Sequence, residues 1–245
     1  MARLMMHCKG EAVELNALND IEMPEATDTY VPVSHYDLAT NIQKVAGDLL
    51  GPKGYELDTT EYGLAREGQR MFGVLGYRNG DEEMGMCVGF RNSYDKSMAA
   101  GVVIGARVFI CDNLAFSGDI QIMRKHTKNV KDDLIQDIIQ ALYKSVNNFE
   151  DIQTFAANYA HVEINDNQAY KMIGLLQGMG IITSTIANEA FRQWDHPKYD
   201  VFQTRTVWSL YNAVTEALKA APPAKVLQSH VDTHKTFSKE FGDCE

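Results

Sequence analysis

The 245-residue chain has four cysteines, Cys8, Cys87, Cys111 and Cys244, and no two stand as CxxC or beside a histidine pair at zinc-site spacing. A disulfide framework or a cysteine zinc site is therefore not expected, and the thiols read as reduced. No apolar run approaches the ~18–20 residues that span a bilayer, so no membrane partner is expected. The first ten residues hold one Arg and one Lys but no apolar core, so no signal peptide is expected and the protein is placed in the cytoplasm. Signatures of nucleotide and bond-breaking chemistry are missing as well. There is no GxxxxGKS or GxxxxGKT, no GxSxG and no HExxH, and Gly174, Gly178 and Gly180 do not form GxGxxG after a strand. An ATPase, an α/β-hydrolase and a zincin are excluded on these grounds. The expectation is a protein with no cofactor, no metal and no recognisable catalytic motif.

What is present is an uneven charge distribution. The net charge is −10, yet residues 1–65 carry −7, residues 66–131 carry +3 and residues 132–245 carry −6. Six of the nine arginines (Arg66, Arg70, Arg78, Arg91, Arg107 and Arg124) lie in the basic middle. Such asymmetry marks a candidate polyanion-binding face, or chance on a modest number of charges.

Hydrophobic periodicity divides the chain in three. Residues 1–33 read as a loosely ordered acidic segment, because Glu11, Glu14, Asp20, Glu22, Glu25 and Asp28 repel one another and Pro24 interrupts any helix. Residues 34–160 read as an α+β core. Ser34 caps a helix over about 35–49, striped by Leu38, Ile42, Val45 and Leu49, and Gly51-Pro52 ends it. From Tyr55 to Arg124 the pattern is that of an antiparallel β-meander of four to six strands. Asn79-Gly80 within it predicts a type I′ hairpin turn, and Arg66-Glu67-Gly68 an earlier connection. Glycines at 73, 76, 85, 89, 101 and 105 inside the strands mark either twist or the close approach of another backbone or ligand. A long amphipathic helix follows, with Val130, Leu134, Ile138, Leu142 and Phe149 at helical spacing, and the sheet is expected to pack on it. Residues 161–245 read as a helical C-terminal region, with helices near 167–177, 184–193, 203–220 and 226–241.

The sharpest candidate site is basic. Arg124-Lys125-His126-Thr127-Lys128-Asn129-Val130-Lys131 holds four formal positive charges and no acid, between a strand and a helix. Together with Arg91 and Arg107 these side chains would neutralise phosphates, while Phe90, Phe109 or Tyr94 would offer faces to bases. The competing reading is a solvated strand-to-helix connection. His230 and His234, four apart on a predicted helix, lack a third ligand and read more simply as a surface pair.

Three segments resemble one family. Arg91-Asn92-Ser93-Tyr94-Asp95-Lys96-Ser97, Val108-Phe109-Ile110-Cys111-Asp112-Asn113 and Trp208 to Glu216 follow the order R-N-S-x-D-x-S, V-F-x-C-x-N and W-x-x-x-N-A-V-T-E. That order is similar to phage- and plasmid-borne proteins grouped as a phage/plasmid-like domain of unknown function, over about residues 30–220. The resemblance implies a mobile element at work in a bacterial host cytoplasm, and no settled chemistry. Its motif positions here are Asn92, Ser93, Asp95, Asn113, Asn212, Thr215 and Glu216, with Arg91 and Cys111. The meander-plus-helix order also resembles the β-β-β-α core of Rad52-like single-strand annealing proteins. Those work without ATP, form rings or filaments and hold DNA in a basic groove.

The expectation is therefore a self-assembling, ATP-independent protein that binds single-stranded DNA and promotes annealing in recombination. The alternative is a host-directed interaction protein that inhibits a bacterial defence or replication factor, which the acidic flanks suit. A small enzyme using Asp95 or Glu216 with Arg91 is a third reading.

Overall fold

The computed structural model describes residues 10–80, 84–108, 113–115, 121–124 and 130–242. The elements run β1 (Glu11–Val13), α1 (His35–Leu50), β2 (Glu56–Ala65), β3 (Arg70–Arg78), β4 (Met84–Ser93), β5 (Ala100–Val108), β6 (Asn113–Ala115) and β7 (Gln121–Arg124). There follow α2 (Val130–His161), α3 (Asp166–Gly178), α4 (Ser184–Asp195), α5 (Val207–Leu218) and α6 (Pro223–Phe241). The class is α+β with a helical C-terminal half, as the periodicity predicts. The described strands make one antiparallel sheet in the order β1-β2-β3-β4-β5, and β6 and β7 share the outer edge of β5.

Local chemistry sets the helix ends. The Ser34 side chain accepts the Asp37 N–H at 3.1 Å and starts α1, which buries Leu38, Ala39, Ile42, Ala46 and Leu50. Asn165 and Gln168 form a reciprocal capping box on α3, which starts at Asp166, one residue before the predicted 167. Pro222 and Pro223 separate α5 from α6, and Pro223 opens α6 where its missing N–H costs nothing.

Two expectations are corrected. Residues 10–33 are not loose: β1 pairs with Tyr62–Leu64, while Leu18, Tyr30 and Val33 are buried. Charge repulsion among the exposed acids is outweighed by these apolar anchors, each contributing roughly 1.5–3 kcal/mol when fully buried. Asn79-Gly80 does not form a type I′ turn either. That turn needs left-handed backbone at both positions, and only Gly80 has it, at φ +57°. The strands end at Arg78 and resume at Met84, so the connection is longer than two residues.

The sheet is covered on both faces. Tyr62 and Tyr77 donate to Gln43 of α1, to its Oε1 at 3.2 Å and its backbone oxygen at 3.3 Å, so their face lies beneath α1. Register adds Met71, Leu75, Met86, Val88, Phe90 and Asn92 to that face. The opposite face carries five of the six strand glycines (Gly76, Gly85, Gly89, Gly101 and Gly105) around Cys87 and Val103, all buried. Tyr211 of α5 comes close to Cys87 there, and burial pushes its phenol far above the ordinary range. The long helix α2 contacts α1, β5, β7 and α5, bridging sheet and helical half.

The sixth glycine stands apart, on the α1 face. Gly73 pairs with both Tyr62 and Phe90, and the Phe90 ring lies across it, reaching within 6.3 Å of the Tyr62 ring. A Cβ at Gly73 would sit 2.2 Å from Phe90 Cζ. Gly73→Ala is expected to destabilise the fold by about 1–3 kcal/mol through overpacking. Phe90→Leu in the same chain should recover part of that loss, both read from urea midpoints.

Candidate functional site

Antiparallel pairing sends the C-terminal ends of β2, β4 and β7 and the N-terminal ends of β3 and β5 to the same end of the sheet. Sequence order scatters the cations of this region, and the topology collects them. Arg66 lies in the β2–β3 turn, Arg70 opens β3, Arg91 is near the end of β4, Lys96 sits in the β4–β5 connection and Arg124 closes β7. The acids among these strand ends and turns are Glu67 and Asp95, with Glu11 on the edge strand. Arg66 and Lys96 are exposed, and Arg70 and Arg91 are half-buried. Burial lowers the Arg91 guanidinium from its ordinary range, which still leaves it charged at neutral pH.

Among the described residues, positions 91, 107 and 124 do not line one groove along the sheet. Arg91 pairs with Gly101, six residues before Arg107 on β5, so the two positions share a face but stand about 20 Å apart. Position 124 pairs with Ala100 and falls on the opposite face from position 91. Arg78 also lies at the far end, 3.7 Å from Asp58. Lys131 is the second residue of α2, while Lys125, Lys128, Phe109 and Cys111 lie outside the described residues. Neither expected stacking residue presents a face. Phe90 is 2% exposed beneath α1, and Tyr94 is 4% exposed.

Tyr94 belongs instead to a buried polar network that the sequence reading missed. Its ring stacks on His35, at the start of α1, with centroids 3.8 Å apart and planes 6° apart. Its hydroxyl accepts the His35 N–H at 2.9 Å. Burial pushes the Tyr94 phenol up, against the opposing pull of that hydrogen bond and one from Ser34. Asn92 is fully buried, and its amide nitrogen donates to Val33 O at 2.6 Å and to His35 Nδ1 at 2.9 Å. Because the Val33 carbonyl only accepts, the Asn92 amide orientation is determined, and His35 Nδ1 must be an acceptor. His35 Nε2 then carries the proton and donates to Gly68 O at 3.0 Å. One neutral imidazole thus joins the start of α1, the β2–β3 turn and the end of β4. The Ser93 hydroxyl donates to Met98 O at 2.9 Å and accepts the Met98 N–H at 3.1 Å, closing the next connection.

Asp95 joins the same assembly from the surface. It accepts from Arg70 Nε at 2.7 Å, from the Ser97 N–H at 3.0 Å and from the Ser97 hydroxyl. Partial burial raises its carboxyl, but the Ser97 and Arg70 hydrogen bonds outweigh that and hold it below the usual carboxylate range. The motif residues Asn92, Ser93 and Asp95 therefore brace this end of the sheet.

The remaining motif residues lie elsewhere. Asn113 opens β6 and pairs with Val108. In α5, Asn212 donates to Trp208 O at 2.9 Å and the Thr215 hydroxyl to Asn212 O at 3.2 Å, both turning inward along their own helix. Glu216 meets the buried Lys219 at 2.5 Å and Lys198 at 3.8 Å. Glu216 and Asn212 line a small cleft of about 220 Å³, counting its open mouth, with Lys198, Tyr199 and Phe202. His230 is buried in α6 and the His234 ring packs 4.5 Å from Phe155, so they are not the surface pair the spacing suggests. No three His, Cys, Asp or Glu side chains cluster at metal-binding distance among the described residues.

The family model of DUF932, a domain of unknown function, matches residues 27–236. The chain belongs to that family. The match begins before Tyr30 and ends within α6, so both the His35 network and the α5 motif lie inside it. No curated protein and no solved structure matches the chain.

Asn92→Ala strands two buried acceptors, Val33 O and His35 Nδ1, and is expected to cost about 2–4 kcal/mol in urea unfolding. Asp95→Asn should destabilise the protein at neutral pH. A carboxyl held low in the fold contributes stability above its unfolded value of about 3.9 and loses it as pH falls through the folded one. The gap between wild type and Asp95→Asn should therefore narrow from pH 7 to about pH 3.

Proposed function

We propose that this protein binds the phosphate backbone of single-stranded DNA at the basic end of its sheet. The observation that carries the reading is the gathering there of Arg66, Arg70, Arg91, Lys96 and position 124 from three separate stretches of an acidic chain. Arg70 is engaged with Asp95, and the exposed Arg66 and Lys96 on the adjoining loops are the cations placed to meet an external anion. The site differs from a groove with stacking platforms, because Phe90 and Tyr94 are interior. Contact then runs through phosphates alone, which makes binding indifferent to sequence and leaves the bases turned outward. Annealing needs that disposition, since two strands can pair only through bases the protein does not occupy. No nucleotide hydrolysis enters this scheme, and assembly of several copies in a ring or filament would extend the track.

The host-directed reading draws on a different surface. Residues 22–28 expose Glu22, Glu25 and Asp28 beside Met23, which is 43% exposed, on the side of the chain where acids dominate. Nuclease-treated pull-down from bacterial lysate distinguishes the two, because a stoichiometric protein retained without nucleic acid favours the acidic surface.

The DNA reading is tested by anisotropy with a fluorescent single-stranded 20-mer across a salt series. Two phosphate contacts predict a log–log slope of about −1.4, or about a sevenfold loss of affinity between about 50 and 200 mM salt. Absence of binding at about 50 mM salt removes the proposal.

A further inference from the structure

Among the described residues, three that are not glycine have a left-handed backbone: Arg66 (φ +52°), Glu67 (φ +55°) and Lys96 (φ +59°). All three lie on the two loops at the basic end, and two of them are exposed cations. A residue with a Cβ is disfavoured there and persists only where its surroundings over-determine it. Gly68 completes the run in the first loop at φ +82°, where a Cβ would strike Ile21 Cδ1 at 2.6 Å.

The over-determining contacts are explicit. Gln69 N–H donates to Arg66 O at 3.0 Å, closing the β2–β3 turn on itself. His35 Nε2–H holds Gly68 O at 3.0 Å in the same turn. Tyr94 N–H donates to Gln69 O at 2.8 Å and Arg70 reaches Asp95 at 2.7 Å, so the two loops are joined to each other twice. In the second loop, Ser97 fixes Asp95, and Lys96 Nζ lies 4.6 Å above the Tyr30 ring. The backbone conformation that aims each cation is thus maintained by a body with few remaining freedoms.

We propose that Arg66 and Lys96 form a pre-set clamp on a phosphodiester segment, and that His35 is the positioning residue which holds the two loops in register. The inference rests on the polyanion reading above and deepens it. A free lysine or arginine on a mobile loop loses backbone and rotamer entropy on meeting a phosphate. A cation on a backbone already fixed in its bound form loses less, so each such contact contributes more to affinity. The left-handed backbone at Arg66 and Lys96, held by these contacts, is the structural signature of that arrangement.

The test uses the full chain and the same single-stranded 20-mer. Arg66→Ala and Lys96→Ala are each expected to weaken binding about 5-fold at about 100 mM salt and to flatten the salt slope by about 0.7. Tyr94→Phe retains the ring on His35 and removes only the oxygen that accepts the His35 amide and bonds Ser34. It is expected to weaken binding about threefold with the slope unchanged, because position is lost and charge is not. His35→Phe should do the same more strongly, and should Phe at this site prevent folding, Tyr94→Phe carries the positioning test alone. Every titration is made well below the variant's melting midpoint, with Arg78→Ala at the far end as an unaffected control. If wild type binds and both alanine variants keep its affinity and slope, the clamp is wrong and the polyanion reading stands. Wild-type affinity in a folded Tyr94→Phe removes the positioning role, and no binding by wild type at about 50 mM salt overturns clamp and reading together.

Discussion

The end of the sheet depends on one neutral imidazole that must accept on one nitrogen and donate on the other. His35 has no solvent exposure, so neither nitrogen can turn to water for a substitute. Its acceptor side is dictated by Asn92, whose other amide hydrogen is committed to Val33 O, and its donor side by the Gly68 carbonyl. Three segments distant in sequence are thereby required to meet in a single arrangement. The left-handed turn at Arg66–Gly68 and the buried stretch Asn92–Tyr94 are both consequences of that requirement. A purely apolar contact at the same place would tolerate small slips, whereas a chain of directional bonds does not.

Most of the architecture is legible in the sequence, because period and capping are local signals. The helices α1 and α2 and the strands β2 to β5 follow from apolar spacing, Ser34 and the glycine and proline stops. The turn after β3 differs from the expectation because Asn-Gly signals a turn type only when both flanking strands continue to the dipeptide, and here β4 resumes only at Met84. The N-terminal segment was misread because its charges are frequent and its anchors, Leu18, Tyr30 and Val33, are far apart. Burial of one side chain in a distant crevice leaves no periodic trace.

The site was legible only in part, and for a related reason. Arg91 and Arg124 come from the basic middle of the sequence, yet where the two positions fall follows from strand direction and register, which composition does not encode. Arg107 shares the residue type and the strand pattern and still falls at the far end, because an antiparallel ladder sends each cation to one end or the other according to its distance from the turn. Phe90 and Tyr94 are expected as stacking faces from their place beside the basic strand ends, and both are interior. One fills the space that Gly73 leaves, and the other stacks on a histidine whose significance no spacing rule reveals. His35 had a weak signal, a histidine at the first position after a capping serine, where an exposed polar residue would serve the helix equally well.

The two faces of the sheet explain why the proposed binding site lies at its end. On one side Tyr62 and Tyr77 are tied to α1, and on the other the buried Tyr211 of α5 lies near Cys87. Neither face could admit a nucleic acid without displacing a helix from the core, at a cost of many buried apolar side chains. Strand ends and their loops are the part of such a sheet that solvent reaches. Loops ordinarily surrender precision for that access. Here the precision is restored by hydrogen bonds from the buried network to the loop backbone itself, so that exposed cations rest on a rigid support. The motif Arg91-Asn92-Ser93-Tyr94-Asp95 then has a single physical logic. Its buried members Asn92, Ser93 and Tyr94 fix the loops, Asp95 links them at the surface, and the charges beside them are what the fixed loops display.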